Sequence, residues 1–101
     1  MDRRLELQGI LESIPGVKKV YFQPPESIHL EYPCIIYKRD NIWSEFANNG
    51  PYTNRKRYNV MVIDSNPDSD IPDAVKNLPL SRFNTHYAKD RLNHDIFTLY
   101  Y

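Results

Sequence analysis

The chain has 101 residues, 41% of them hydrophobic and 26% charged, and its thirteen basic residues balance thirteen acidic ones. That length suits one domain spanning residues 1–101, and that balance argues against a disordered chain. Zero net charge gives no general attraction to nucleic acid or an anionic membrane, and no apolar run approaches the ~20 residues that cross a bilayer, so charge-driven binding needs a local patch.

In chain order, residues 2–14 read as a helix. Leu7, Ile10, Leu11 and Ile14 recur at helical spacing and form one apolar stripe. Asp2 stands where an acidic cap is favourable, and Pro15-Gly16 stops the helix. Gly9 inside it costs about 1 kcal/mol relative to Ala, which close packing against a neighbour would explain. Asp2-Arg3-Arg4 leads into this amphipathic segment and not into an apolar leader, so synthesis in a cytoplasm is expected.

Val17 to Phe22 reads as a short strand ended by Pro24-Pro25, and a second strand follows Pro33 from Cys34 to Arg39. Asn49-Gly50 is a strong turn signal, so a long hairpin is expected, returning along Arg57 to Ile63. On the return strand Tyr58, Val60 and Val62 share one face, and Arg57, Asn59 and Met61 share the other. Asp64 to Asp70 has the composition of a loop. A short helix from Ile71 to Leu78 follows, with Ser69 or Asp70 as its cap, Pro72 in its first turn and Pro79 beyond its end. The last third reads as a hairpin. Phe83, Thr85 and Tyr87 lie on one face of its first strand, Asp90, Arg91 and Asn93 make the turn, and Asp95 to Tyr101 is apolar on both faces. The expected fold is α+β in the order α-β-β-β-α-β-β, an antiparallel sheet with two helices packed on one face and a long hairpin between its second and third strands.

The sequence offers little to catalysis. His29, His86 and His94 have no metal-binding helical spacing, although His86 and His94 flank the last turn and have the spacing of a cross-strand pair. Asp64-Ser65-Asn66-Pro67-Asp68-Ser69-Asp70 resembles a calcium loop but has Ser69 in place of the turn glycine and Val75 in place of the bidentate glutamate. The only cysteine, Cys34, sits in an apolar run and reads as a buried thiol. No glycine-rich phosphate loop or nucleophile elbow occurs. No catalytic residue, cofactor or metal is expected, and the protein is not read as an enzyme.

Eight tyrosines are many for this length. Tyrosine joins a large apolar face to a polar tip, which suits a protein interface as well as the rim of a β core. The one basic run, Arg55-Lys56-Arg57, follows Tyr52 and lies near Trp43 and Phe46. Aromatic and basic residues on an arm can bind single-stranded nucleic acid, or the charges can simply solvate the hairpin. A third reading makes Trp43, Phe46, Tyr52, Arg55, Lys56 and Arg57 a subunit interface, because a hairpin has nowhere of its own to bury such rings.

Several stretches resemble a family of small phage morphogenesis proteins, the tail-terminator, tail-completion or minor capsid proteins. They are Glu31-Tyr32-Pro33-Cys34-Ile35-Ile36-Tyr37, Asn49-Gly50-Pro51-Tyr52-Thr53 and Lys56-Arg57-Tyr58-Asn59-Val60-Met61-Val62-Ile63-Asp64, followed by Pro67-Asp68-Ser69-Asp70-Ile71-Pro72 and the closing Leu92-Asn93-His94-Asp95-Ile96-Phe97-Thr98-Leu99-Tyr100-Tyr101. The resemblance implies a structural virion protein, assembled in the host cytoplasm, that forms a homo-oligomeric ring, commonly a hexamer. Such a ring caps the phage tail tube and joins it to the head, with the tail-tube protein and the head-connector or neck proteins as partners. The alternatives are a head-completion or neck connector protein of the same virion and, from another class, a single-stranded nucleic-acid-binding module.

Overall fold

A computed structural model describes residues 3–46 and 51–101, with the side chains of 3–40 and 56–101. The elements run α1 (Arg3–Glu12), β1 (Lys19–Phe22), β2 (Cys34–Phe46), β3 (Pro51–Asp64), α2 (Ile71–Lys76), β4 (Ser81–Lys89) and β5 (Leu92–Tyr100). This is the α+β order expected from the sequence. The Asp2 cap and the Asn49-Gly50 turn lie outside the described residues.

The five strands form one sheet in the order β1-β2-β3-β5-β4. It is mixed, which corrects the antiparallel expectation: β1 runs parallel to β2, with Val20 opposite Ile35 and Phe22 opposite Tyr37. A parallel neighbour needs a crossover and cannot be joined by a tight turn. Residues 23–33 supply it with Pro24, Pro25 and Pro33 and no hairpin dipeptide. The Tyr21 hydroxyl accepts the Glu31 N–H at 3.1 Å and ties the crossover back to the strand it left.

One face of the sheet is the core face. Ile35 and Tyr37, Tyr58, Val60 and Val62, and Phe97 and Leu99 are all buried there against Leu7, Leu11 and Ile14 of the first helical segment and Ile71 and Val75 of α2. Both helices therefore pack on this face. Tyr37 lies at the centre, and its hydroxyl donates to Gln8 Oε1 and accepts from Arg4 Nη1 at 3.4 Å. These bonds join α1 to the sheet without leaving a buried hydroxyl unpaired. Gln8 also donates to the Val20 carbonyl at 3.3 Å, and the Tyr101 hydroxyl to Glu6 at 3.2 Å.

Gly9 lacks the close neighbour its position invites. It is exposed, and a Cβ added there meets nothing within 4 Å among the described residues. Gly9→Ala should therefore raise stability by about 0.5–1 kcal/mol, since it removes unfolded-state freedom at no steric cost. Urea unfolding measures this as an upward shift in midpoint at constant m-value. A lower midpoint would place a packing partner on that helix face.

Three register irregularities interrupt the strands, one of them near the tip of β2 and β3 between Glu45 and Phe46, and the other two re-aim side chains. Asp40 is an extra residue in β2 between the pairs Arg39–Tyr58 and Asn41–Arg57, and Asn84 is extra in β4 between Phe83–Phe97 and Thr85–Ile96. The second bulge separates Phe83 from Thr85 and Tyr87, which do not share the face that simple alternation gives them. Phe83 meets Phe97 edge-on at 5.5 Å, whereas Tyr87 stacks on His94 at 4.5 Å. It also separates His86 and His94, whose spacing allowed a cross-strand pair. His86 lies opposite Asp95 and His94 opposite Tyr87. The turn between the strands is Asp90-Arg91, both at positive φ (55° and 64°), while Asn93 pairs within β5. Positive φ at both central residues matches the twist of a two-residue hairpin.

Candidate functional site

The most distinctive feature of the fold is how far β2 and β3 outrun the sheet. β1 stops pairing at Tyr37, and β5 stops at Arg57, where Tyr100 is the partner. Past the Lys56 carbonyl, which accepts the Tyr101 N–H at 3.0 Å, β2 and β3 pair only with each other among the described residues, through Trp43–Arg55 to Phe46–Pro51. At ~3.4 Å per residue the two-stranded arm extends roughly 20 Å past the sheet, and the molecule measures 50 × 24 × 22 Å. Trp43, Phe46, Tyr52 and Arg55 are all on the arm by sequence position, but their side chains lie outside the described residues.

At the root of the arm the structure splits the basic run expected to act as one patch. Lys56 and Arg57 are neighbours in an extended strand and so point to opposite faces. Arg57 lies on the outer face, where Nε binds Asp40 Oδ1 at 2.7 Å. The bulge residue thus holds Arg57 in place, and the hydrogen bonds that the guanidinium donates, to Asp40 first and to Tyr100 second, push its pKa above its ordinary value. Arg57 is therefore paired within its own chain.

Lys56 belongs to a different constellation. Together with Arg4, Arg39, Phe22, Gln23 and Tyr58 it lines a cleft of about 260 Å³ where the core face emerges beyond the start of α1. Arg4 lies over the Phe22 ring at 4.5 Å, a cation–π contact that orients its guanidinium. Arg39 is exposed, and Gln23 Oε1 accepts its backbone N–H at 3.3 Å. Three cations thus surround one cleft that no acidic residue lines among the described residues. Arg4 and Arg39 were not singled out from the sequence, yet strand period could have found one of them: Arg39 follows Ile35 and Tyr37 at steps of two, as Lys56 precedes Tyr58 and Val60.

The loop that resembles a calcium site uses its oxygens on its own backbone. Asp64 Oδ1 accepts the Asn66 N–H at 2.9 Å, Asn66 Oδ1 the Asp68 N–H at 2.9 Å, and Ser69 Oγ the Ile71 N–H at 3.2 Å. These are chain-turning bonds, and they make Ser69 the side-chain cap of α2, since Asp70 makes no cap hydrogen bond. Asp68, Asp70 and Asp73 are exposed.

His86 Nδ1 lies 2.8 Å from Asp95 Oδ1, and no third His, Cys, Asp or Glu joins them in a metal-binding group among the described residues. Cys34 is buried, and burial pushes its thiol pKa up to about 11, so the nucleophilic thiolate is scarce at neutral pH. No helix among the described residues is long and apolar enough to cross a membrane. Comparison of the chain with protein-family models, with curated proteins and with solved structures finds no match.

Proposed function

We propose that this protein is a structural subunit of a phage virion that assembles with copies of itself into a ring capping the tail tube, where it joins tail to head. The observation that carries the assembly part is the arm. A two-stranded ribbon is marginal in water unless something covers it, and this one bears Trp43, Phe46 and Tyr52 in its sequence. Residues of these types anchor interfaces when a neighbour buries them. An arm of one subunit lying on a different surface of the next makes a head-to-tail contact, and head-to-tail contacts close into rings when the rotation allows. The tail assignment is supported by the resemblance of residues 31–37, 49–53, 56–64, 67–72 and 92–101 to tail-terminator and tail-completion proteins.

The separation of Lys56 from Arg57, with Arg57 bound to Asp40, weighs against a nucleic-acid module built on the basic run. Light scattering of the purified chain should show a concentration-dependent oligomer, and particles made without the protein should carry overlong or headless tails. Full heads lacking tails would point to the head-completion or neck role. Normal virions would sink both.

A further inference from the structure

The cleft at the arm root and the acidic segment after β3 are complementary in charge but cannot meet within one molecule. Lys56 and Asp64 lie on the same strand, roughly 27 Å apart at ~3.4 Å per residue, and Asp68 and Asp70 lie in the loop that follows Asp64, with Asp73 in the first turn of α2. At one end of the sheet, Arg39 and Lys56 make no ion pair among the described residues, and Arg4 faces the same cleft. At the other end, Asp68, Asp70 and Asp73 are exposed and likewise make no ion pair among the described residues. The Asn66 and Ser69 side-chain oxygens, accepting the Asp68 and Ile71 N–H groups, shape the acidic segment without using the Asp68 or Asp70 carboxylates.

We infer that the Arg4–Arg39–Lys56 cleft receives the Asp68–Asp73 segment of a second copy of this chain. The inference rests on the self-assembly reading and specifies its contact. The occupant is a second copy because the chain carries both halves of the match on surfaces too far apart to close on themselves. When each cleft takes the segment of a different neighbour, the contact is polar and head-to-tail and propagates around a ring. The cleft has the chemistry for carboxylates: Arg39 presents a planar guanidinium donor and Lys56 a mobile ammonium, while Arg4, engaged with Tyr37 and Phe22, adds its positive charge to the lining. Arg57, tied to Asp40 on the opposite face, takes no part.

The test is a charge swap read by analytical ultracentrifugation. One variant carries Arg39→Glu and Lys56→Glu, the other Asp68→Lys and Asp70→Lys. Each alone sets like charges against each other and should weaken self-association at least about tenfold. An equimolar mixture should recover association, because each variant supplies what the other's altered surface needs. Raising NaCl to 0.5 M should weaken the wild-type oligomer, as expected for exposed pairs. Circular dichroism establishes that the variants fold, and Arg39→Gln with Lys56→Gln provides a milder pair that should weaken association less. If wild type and both variants associate equally, the contact is wrong and the assembly reading stands. If the wild type stays monomeric at every concentration, both are overturned. If the cleft variant keeps its self-association but loses binding to a labelled oligonucleotide, the cleft belongs to nucleic acid and the inference fails.

Discussion

Phe97→Ala should lower the stability of the monomer by about 3–5 kcal/mol, the cost of emptying a buried aromatic site that cannot fully collapse. Phe97 is 1% exposed. It lies opposite Val60 on one side and Phe83 on the other, in the middle of the core face. A domain of this size has about 5–15 kcal/mol in total, so the loss takes a large share and should lower Tm by about 4–8 °C for each kcal/mol. The companion Ile96→Ala is the internal control. Ile96 is the next residue along β5 but sits half-buried on the outer face, so it should cost about 1 kcal/mol in the monomer. Urea unfolding of both variants gives the comparison. Equal costs would mean that both faces of the sheet are packed alike and that the core is not where the buried residues place it.

That contrast between adjacent residues shows where sequence reading reached its limit. The stretch Asp95 to Tyr101 reads as apolar on both faces, and periodicity alone cannot choose between them. The choice is made by what each strand lies beside: Phe97 and Leu99 fall in register with Val60 and Tyr58, whose burial was legible from their own alternation. The same alternation failed in β4, where the Asn84 bulge shifts every later residue by one, so that Phe83 and Tyr87 part company. A one-residue insertion leaves no compositional trace. The parallel β1 was missed for a different reason. Two proline-rich strands' ends look alike whether the chain reverses or crosses over, although the lack of any tight-turn dipeptide between Phe22 and Cys34 was a usable sign. As for the candidate site, the length of the hairpin and its aromatic content were legible. The basic run divides between the two faces, because adjacent charges in a strand look like a cluster in the sequence and diverge in the sheet.

Excising the arm should abolish assembly and leave the fold intact. Replacing residues 43–55 by Asn-Gly joins Ile42 to Lys56, two positions already paired in the hairpin, through a dipeptide suited to a two-residue turn. All the described core residues lie outside the excised segment. Asp40 and Arg57 remain to hold the root, and the shorter loop costs less entropy to close. Monomer stability should therefore change by no more than about 1 kcal/mol. Association should weaken by at least about a hundredfold, because the excision removes Trp43, Phe46 and Tyr52 together and single anchors of that kind are worth about 2–4 kcal/mol when a partner buries them. Trp43→Ala is the milder form of the same experiment and should fall between wild type and the excised chain. Sedimentation over a wide concentration range, with circular dichroism as the check on folding, separates the outcomes. An excised chain that folds and assembles like wild type would remove the arm from the interface. An excised chain that fails to fold would show instead that the ribbon contributes to the monomer's own stability, the one role its two-stranded extension beyond the sheet makes hardest to sustain.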